Sequence, residues 1–300
     1  MKRCISYILS FLFVFLILEC QQSIAQLKVQ VVTQKINKSI DWEPGMVLQL
    51  SAERADIFFT THSANTIDLE VLFISKNENI SIAEEDLKKM KFLNETINKK
   101  VFIRNFIELS KTDSKPESDI KAIYHIKVPE NCSVDINNYF GNIDVENLRL
   151  SLNIIGEFSK IDLRNISGKT KVKTTFGDVS AQGINGSIFV VSNRSNITLS
   201  NVKGTIELQS ILAEIILDGI NDVSIVSIDA EKSKVTVKTT NFNKFIFNLD
   251  LFKVDFQKPD EMNLIFTKNE NDIIKTSFNS SVNHSQINVK LNVGTLNIEE

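Results

Sequence analysis

Carboxylates that recur along the central part of the chain are the residues best suited to do chemistry. Asp144 and Asp162 are 18 residues apart, and Asp178 and Glu214 share a neighbouring column with Lys160. Stacked strands would hold such side chains about 5 Å apart. Paired carboxylates can act as general acid and base or bind Ca²⁺ where a groove excludes water. The sequence indicates no such groove, and Lys160 compensates the charge, so a solvated outer face is favoured over a polysaccharide-degrading site.

A second recurring set is aromatic. Phe140, Phe158 and Phe176 follow the same 18-residue step, and a ladder of rings can offer a stacking surface for sugars. The residue after each Phe is Gly or Ser, as a tight bend requires. We therefore expect the three rings to stack inside a corner of the fold, with the sugar-binding surface as the alternative.

The elements that position these residues follow from the same period. Reading residues 140–222 in steps of 18 aligns apolar columns, one of which is Ile143, Ile161, Val179, Ile197 and Ile215. A fixed period near 20 residues is typical of a solenoid whose units bury their apolar sides against each other. The sequence thus predicts an all-β fold, a single-stranded parallel β-helix with coils of about 18 residues. A right-handed coil is preferred. The left-handed form needs an apolar residue every six positions, and Lys160, six residues after Ile154, breaks that pattern.

A polar column supports regular corners. Positions 147, 165, 183, 201 and 219 contain only Asn and Gly, the two residue types that adopt a positive φ at low cost. A left-handed corner in every repeat explains this column, and the Gly residues at 168, 186 and 204 predict the next bend.

One amphipathic helix is predicted near the N-terminal end, over about residues 82–97. Ser81 and Glu84 have the spacing of a capping box, and Leu87, Met90 and Leu93 share one face. The predicted organisation is a signal peptide at 1–25, an N-terminal β-rich region at 26–122, a repeat core at 123–240 and a C-terminal β-rich cap at 241–300.

Composition and the N-terminus indicate an exported protein. The 300 residues have a net charge of -3, which gives no electrostatic case for nucleic acid. Lys2 and Arg3 precede an apolar run, Ile5–Leu18, and a small-residue cleavage site ends at Ala25. That run falls short of the roughly 20 residues that span a bilayer. We expect no transmembrane span in the mature chain.

The cysteines and histidines do not suggest a reactive or metal centre. Cys4 and Cys20 leave with the predicted signal peptide, although lipidation at Cys20 stays open despite the large Glu19 before it. Cys132 is then alone and is expected to be a half-buried spectator thiol. The three His residues are dispersed and lack metal-ligand spacing. We predict no catalytic, cofactor-binding or metal-binding residues, no cofactor, and a protein that is not an enzyme.

Three segments carry a family resemblance. The stretch FGDVSAQGINGSIFVVSN and its echoes FGNIDVENLRLSLNI and SNITLSNVKGTIELQS resemble the adhesin-like β-strand-repeat family of bacterial envelope proteins, relatives of the auto-transporter adhesin head domain. The resemblance implies a β-strand-repeat fold and an exported location, and it carries no established catalytic residues. The chain departs from the pattern at Arg194 and Leu212, which replace the Phe, and at Asp222, which replaces the Gly.

These observations lead to three hypotheses of function. The first is a non-enzymatic, adhesin-like scaffold that binds a glycan or an envelope or surface protein by multivalent contact along stacked coils. The second is a polysaccharide-degrading enzyme that uses Asp144, Asp162 and Asp178. The third is a periplasmic envelope-stress or assembly factor. The expected location is the periplasm or the outer surface of a Gram-negative bacterium, and the oligomeric state stays open.

Overall fold

The computed structural model describes residues 29–110, 114–220, 222–279 and 285–300, and this part of the chain consists mostly of β-strands. The predicted signal peptide, with Cys4 and Cys20, and His284 lie outside the described residues. The elements are β1 (Gln30–Asp41), β2 (Val47–Glu53), β3 (Ala55–His62), β4 (Thr66–Asn77), α1 (Ile80–Lys89), β5 (Met90–Ile97), β6 (Lys100–Ile107), β7 (Asp119–Pro129), β8 (Ser133–Glu146), β9 (Ser151–Arg164), β10 (Ser167–Thr175), β11 (Val179–Gln182), β12 (Asn185–Asn193), β13 (Ile197–Ser200), β14 (Lys203–Ile211), β15 (Glu214–Asp218), β16 (Asp222–Lys238), a 3-10 helix (Phe242–Lys244), β17 (Phe245–Gln257), β18 (Ile265–Glu270), β19 (Ile273–Phe278) and β20 (Ser285–Glu299).

The 18-residue step is the lateral register of the central strands. Ile143 pairs with Ile161, and Ile161 in turn pairs with Val179. Val179 pairs with Ile197, and Ile197 with Ile215, always between parallel strands. All five side chains are buried in one apolar cluster. The predicted alignment of this column is therefore confirmed.

The predicted single-stranded parallel β-helix is wrong, because the strand pairs close a ring. Strand β9 pairs with both β10 and β11. One branch runs from β10 through β12 and β14, the other from β11 through β13 and β15, and both end on β16. The result is a closed barrel of eight parallel strands, with the other strands outside it. The period fails to predict closure because it specifies lateral neighbours only, and the long strands β9 and β16 each serve both branches.

Additional strands extend the sheet from both sides of the ring. On one side β2 and β3 pair in parallel with β8, and β7, β4 and β1 follow, with antiparallel pairs at β4. On the other side β20 lies between β16 and β17, and the β18–β19 hairpin adds to β17. Strands from all three predicted regions belong to this one sheet. The division at residues 122 and 240 stays a prediction.

The helix is shorter than predicted. It spans Ile80–Lys89, begins after Asn79, whose side-chain oxygen accepts a hydrogen bond from Ser81 N at 2.9 Å, and packs against β1 and β4. The prediction that Ser81 and Glu84 form a capping box is therefore wrong, because the N-cap residue is Asn79. Residues 90–97, predicted as helical, form β5 and pair with β6. The reason is the turn that follows: Asn98 and Lys99 both have positive φ, 50° and 62°, as in the type I′ turn that joins two-stranded hairpins.

The column of Asn and Gly forms the left-handed corner that its composition predicts. Asn147, Asn165, Gly183, Asn201 and Gly219 have φ values between 51° and 70°. The carboxamide of Asn165 donates to that of Asn147 at 3.3 Å. The left-handed conformation repeats from strand to strand, and the column needs no functional explanation.

Candidate functional site: the aromatic corner

A second left-handed corner runs along the opposite edge of the strands. Its residues share φ values between 50° and 66° and lie side by side through the strand register. They are Arg54, Phe140, Phe158, Phe176, Arg194, Leu212, Lys232, Lys253 and Val293. We call this row the aromatic corner. The three Phe side chains are 40%, 41% and 44% exposed, so the prediction that they stack inside a corner is wrong.

Small polar side chains occupy the inside of this corner. Ser195 Oγ accepts a hydrogen bond from Gly177 N at 3.2 Å and donates to Asn193 O at 3.1 Å. The buried Asn138 donates from Nδ2 to Ala55 O at 3.0 Å. Backbone groups at a bend lose their sheet partners and need others when they are buried. Hydroxyl and amide groups therefore occupy the inner side of this corner, and the Phe rings lie on its outer side.

The three Phe rings form a continuous stack on the surface. The ring centroids of Phe140 and Phe158 are 4.8 Å apart, and those of Phe158 and Phe176 are 5.0 Å apart, with interplanar angles of 15° and 6°. At the far end the guanidinium carbon of Arg194 lies 5.3 Å from the Phe176 centroid, within cation–π range. The faces of Phe158 and Phe176 are thus covered, and only ring edges face solvent there.

Tyr139 provides an open ring face beside the stack. Its centroid is 4.5 Å from that of Phe140 and 5.8 Å from that of Phe158, with interplanar angles of 75° and 90°. Since it is perpendicular to both rings and close to both, it covers their edges with one face. Its other face points away from the stack, and the side chain is 42% exposed. Such a face can stack on a flat apolar surface, and the phenol can hydrogen-bond beside it.

The end of the stack at Phe140 opens into a small pocket. The pocket has a volume of about 280 Å³, and its lining comprises Arg54, Asp119, Ile120, Lys121, Phe140 and Gly141. Arg54 and Asp119 have no ion-pair partner within the described part of the chain, whereas Lys121 pairs with Asp56. The pocket therefore combines the outer side of an aromatic ring with a cation and a carboxylate that are both free to bind.

The stack should offset the strain of its own backbone. We expect Phe158→Ala to lower the free energy of unfolding by about 1–3 kcal/mol, since it removes three ring contacts, with Tyr139, Phe140 and Phe176. Phe158→Gly should be about 1 kcal/mol more stable than Phe158→Ala, because Gly adopts the positive φ without strain. Urea unfolding of both variants measures these differences. Equal stability of the two variants would mean that this corner is unstrained, and wild-type stability of both would mean that stacking contributes nothing.

The carboxylates that the sequence suggested for catalysis make structural contacts. Asp144 and Asp162 are neighbours on β8 and β9. Asp144 pairs with Arg164, and Asp162 pairs with Lys160 at 3.1 Å. Burial raises the pKa of the Asp144 carboxyl, and the Arg164 guanidinium opposes that rise.

Asp178 lies apart from this pair, just before β11. Its Oδ1 accepts a hydrogen bond from Asn196 N at 2.8 Å, and Asn196 Oδ1 accepts one from Glu214 N at 3.3 Å. Each of these two side chains thus accepts a hydrogen bond from the backbone of the residue 18 positions later, and these bonds connect neighbouring strands at the corner. Structural contacts of this kind favour the solvated, charge-compensated outer face over an acid–base pair.

The remaining candidate groups are also engaged. Cys132 is fully buried, and burial raises the pKa of its thiol to about 11, so the thiol is protonated at neutral pH. His62 Nε2 is 2.7 Å from Thr66 O, and His125 stacks on Phe58. Within the described ranges, no group of three or more His, Cys, Asp or Glu side chains is placed to hold a metal ion.

Two broader grooves lie on the outer face of the sheet. One, of about 670 Å³, lies beneath the β5–β6 hairpin and is lined by apolar side chains that include Leu93, Ile97 and Ile155. The other, of about 720 Å³, lies beside the β18–β19 hairpin. Its Lys275 is paired with Asp250 at 3.0 Å. The lining of the groove beside the β18–β19 hairpin includes no aromatic ring. The lining of the groove beneath the β5–β6 hairpin includes Phe102 and Arg104 among mainly apolar side chains.

Sequence reasoning missed Tyr139 and, in the pocket, Arg54, Asp119 and Lys121. Tyr139 falls outside the 18-residue aromatic column, and its only signal is its place directly before Phe140. Arg54 belongs to the corner row, but along the chain β4 to β7 lie between β3 and its partner strand β8, so the fixed step of 18 residues does not reach it. The pair Arg54-Ala55 before an alternating strand, matching Phe140-Gly141, is the signal that could have found it.

Searches against proteins of known family gave no sequence relative. No family model and no curated protein matches the chain. Among the described residues, no helix has the length and apolar character needed to cross a membrane.

Solved structures give matches of low identity. One is a candidate lipid binding protein from Parabacteroides distasonis, 12% identical, with a TM-score of 0.49 and coverage of 90% of this chain and 97% of that one. A candidate adhesin from Bacteroides fragilis is 10% identical, with a TM-score of 0.39 and coverage of 88% and 97%. A candidate cell adhesion protein from Clostridium sporogenes is 14% identical, with a TM-score of 0.31 and coverage of 89% and 99%. Likenesses at these identities and TM-scores assign neither a family nor a function to this chain.

Proposed function

We propose that this protein is a non-enzymatic, exported envelope protein that binds glycans at the aromatic corner. The observation that carries the proposal is the open face of Tyr139 beside a pocket that contains the Phe140 ring, Arg54 and Asp119. The predicted signal peptide supports export. The engaged carboxylates at Asp144 and Asp162 argue against the polysaccharide-degrading alternative.

The chemistry of the corner suits a sugar. An aromatic ring has a negative face, which attracts the C–H groups on the flat side of a pyranose. Ligand sites typically combine such apolar contact with a few polar groups that fix orientation. Here Tyr139 and Phe140 supply the rings, and Arg54, Asp119 and Lys121 supply donors and acceptors for hydroxyl groups.

The stacked geometry favours one local site over multivalent contact along the whole row. The faces of Phe158 and Phe176 are covered by their neighbours, with Arg194 at the far end. Open faces remain only at the end that Tyr139 and Phe140 form. The expected affinity is accordingly that of a single shallow site.

A glycan array probed with the chain lacking residues 1–25 tests the proposal. We expect retention of a subset of glycans, and Tyr139→Ala should weaken binding about threefold to tenfold, the equivalent of one lost ring contact. Leu212→Ala, in the same corner row and 44% exposed, is the matched control and should bind as the wild type does. An array without any retained glycan would contradict the proposal, as would equal losses in the two variants.

The location within the envelope is a separate part of the proposal. We propose display on the outer surface, where a glycan of another cell is accessible, over residence in the periplasm as an assembly factor. Protease treatment of intact cells should then cleave the protein. Full protection in intact cells, together with cleavage after lysis, would place it in the periplasm.

A further inference from the structure

The aromatic stack has an arginine in the corner row at each of its ends, but the two ends differ. Arg194 follows Phe176 in the row, and its guanidinium lies over that ring. Arg54 precedes Phe140 in the row, since Ile57 pairs with Ile143 in the same register, and Arg54 N donates to Tyr139 O at 2.7 Å. One end of the stack is thus closed by its arginine, whereas the other is not.

The open end has unused binding capacity. The structure records no contact between the Arg54 guanidinium and the Phe140 ring, and the pocket of about 280 Å³ lies between them and residues 119–121. Arg54 is exposed and has no carboxylate partner among the described residues, and Asp119 in the same pocket is likewise unpaired. Lys121 is neutralised by Asp56. Arg54 is therefore the cation that remains available to a ligand here.

We propose that this pocket binds the terminal residue of an acidic glycan, a sugar that bears a carboxylate. The proposal rests on the glycan-binding function above and adds the chemical class of the ligand. The sugar ring stacks on the free side of Phe140. Its carboxylate accepts two parallel N–H bonds from Arg54, the geometry that a guanidinium fits best. Its hydroxyl groups donate to the Asp119 carboxylate.

A pair of ligands that differ only in the carboxylate tests this inference. Methyl glucuronide and methyl glucoside share the pyranose ring, and each is titrated into the chain lacking residues 1–25 with chemical shifts as the readout. We expect the acid to bind about tenfold more tightly, as one charge-assisted interaction implies. Arg54→Gln should abolish that preference, so that the acid and the glucoside bind with equal affinity.

The other end of the stack gives the matched control. Arg194→Gln removes an arginine from the same row and the same backbone conformation, and it should keep the tenfold preference. Arg54→Lys keeps the charge without the two-pronged donor, so it should retain part of the preference. Thermal unfolding of all three variants verifies that they are folded.

The outcomes separate this inference from the proposed function. Equal affinity for the two ligands, with glycans retained on the array, would overturn the acidic specificity and leave glycan binding intact. Equal loss of the preference in Arg54→Gln and Arg194→Gln would overturn the assignment to this pocket, because overall charge would then explain it. Failure of both ligands and of the array would overturn both proposals.

Discussion

Gly186→Ala should lower the free energy of unfolding by more than about 3 kcal/mol, in the range of the most damaging single substitutions. Gly186 has a φ of 141°, a conformation essentially restricted to Gly. A Cβ at this position would also overlap the carbonyl oxygen of Gly168 on the neighbouring strand. The backbone cannot move away, because residue 186 is paired with Gly168 on one side and Gly204 on the other.

Gly45→Ala separates overlap from strain. Gly45 also has a positive φ, 87°, but no atom lies within 4 Å of a Cβ built there. It should cost only about 1 kcal/mol, the usual strain of a left-handed residue. Urea midpoints of the two variants, compared at equal m-values, measure the difference. A Gly186→Ala protein as stable as Gly45→Ala would show that the sheet yields at this bend.

Asp86→Ala should have the second largest effect, a loss of about 3 kcal/mol. Asp86 is buried in helix α1, and its Oδ2 accepts hydrogen bonds from Glu117 N and Ser118 N, each at 2.9 Å. Lys89 Nζ donates to Oδ1 at 2.8 Å. One carboxylate thus fixes the segment before β7 to the helix, and its removal leaves two backbone donors without acceptors.

The same carboxylate makes stability depend on pH. Burial acts to raise the pKa of Asp86, but the bonds from Lys89 and the Ser118 backbone outweigh it, and the net effect is a lowered pKa. Because the folded pKa lies below the unfolded value of about 3.9, the stabilisation is complete above that value. It is lost as the pH falls through the folded pKa.

Asp86→Asn is the control for this pH dependence. The amide keeps an acceptor oxygen but cannot ionise, so the variant should unfold with a shallower dependence on pH below about pH 4, where the unfolded Asp titrates. Thermal midpoints of wild type and variant from pH 2 to pH 7 measure the two slopes. Identical slopes would mean that other carboxylates dominate acid unfolding and that Asp86 contributes only its hydrogen bonds.

Part of the fold could be predicted because repetition makes local signals add up. The column from Ile143 to Ile215 predicts the strand register correctly, since one apolar residue per repeat must meet its equivalent in a shared core. The Asn and Gly column succeeds for a local reason, because few residue types accept a positive φ. Both inferences depend on backbone conformation or burial alone.

The errors arise where a pattern leaves direction or partners open. The apolar spacing of residues 87–97 fits a helix throughout, and only the turn at Asn98 and Lys99 shows that β5 must pair with β6. A period of 18 also cannot tell which side of a corner its Phe residues occupy. Because the backbone atoms at the bend need polar partners, Ser159 and Ser195 occupy the inner side of the corner and the Phe rings lie on the outer side.

The residues around the open end of the aromatic stack were not predicted. The alternative of a sugar-stacking Phe ladder named three residues of the aromatic corner, whereas the open ring faces lie at one end of the stack, near Tyr139 and Arg54. Arg54 lies between β2 and β3. It is 86 positions before Phe140, the offset that the pairing of Phe58 with Asp144 gives. A contact between such distant segments depends on the whole topology.

The left-handed corner row has a consequence for how this surface can diversify. Arg, Phe, Leu, Lys and Val all occupy the same backbone conformation there. Their side chains are exposed, and Gly, Ala or Ser follows at every position except Lys253. Side chains of different types can therefore replace one another along this row without a change of backbone conformation. If the proposed glycan binding holds, exchanging residues along the row would change the ligand that is bound while the backbone beneath stays the same.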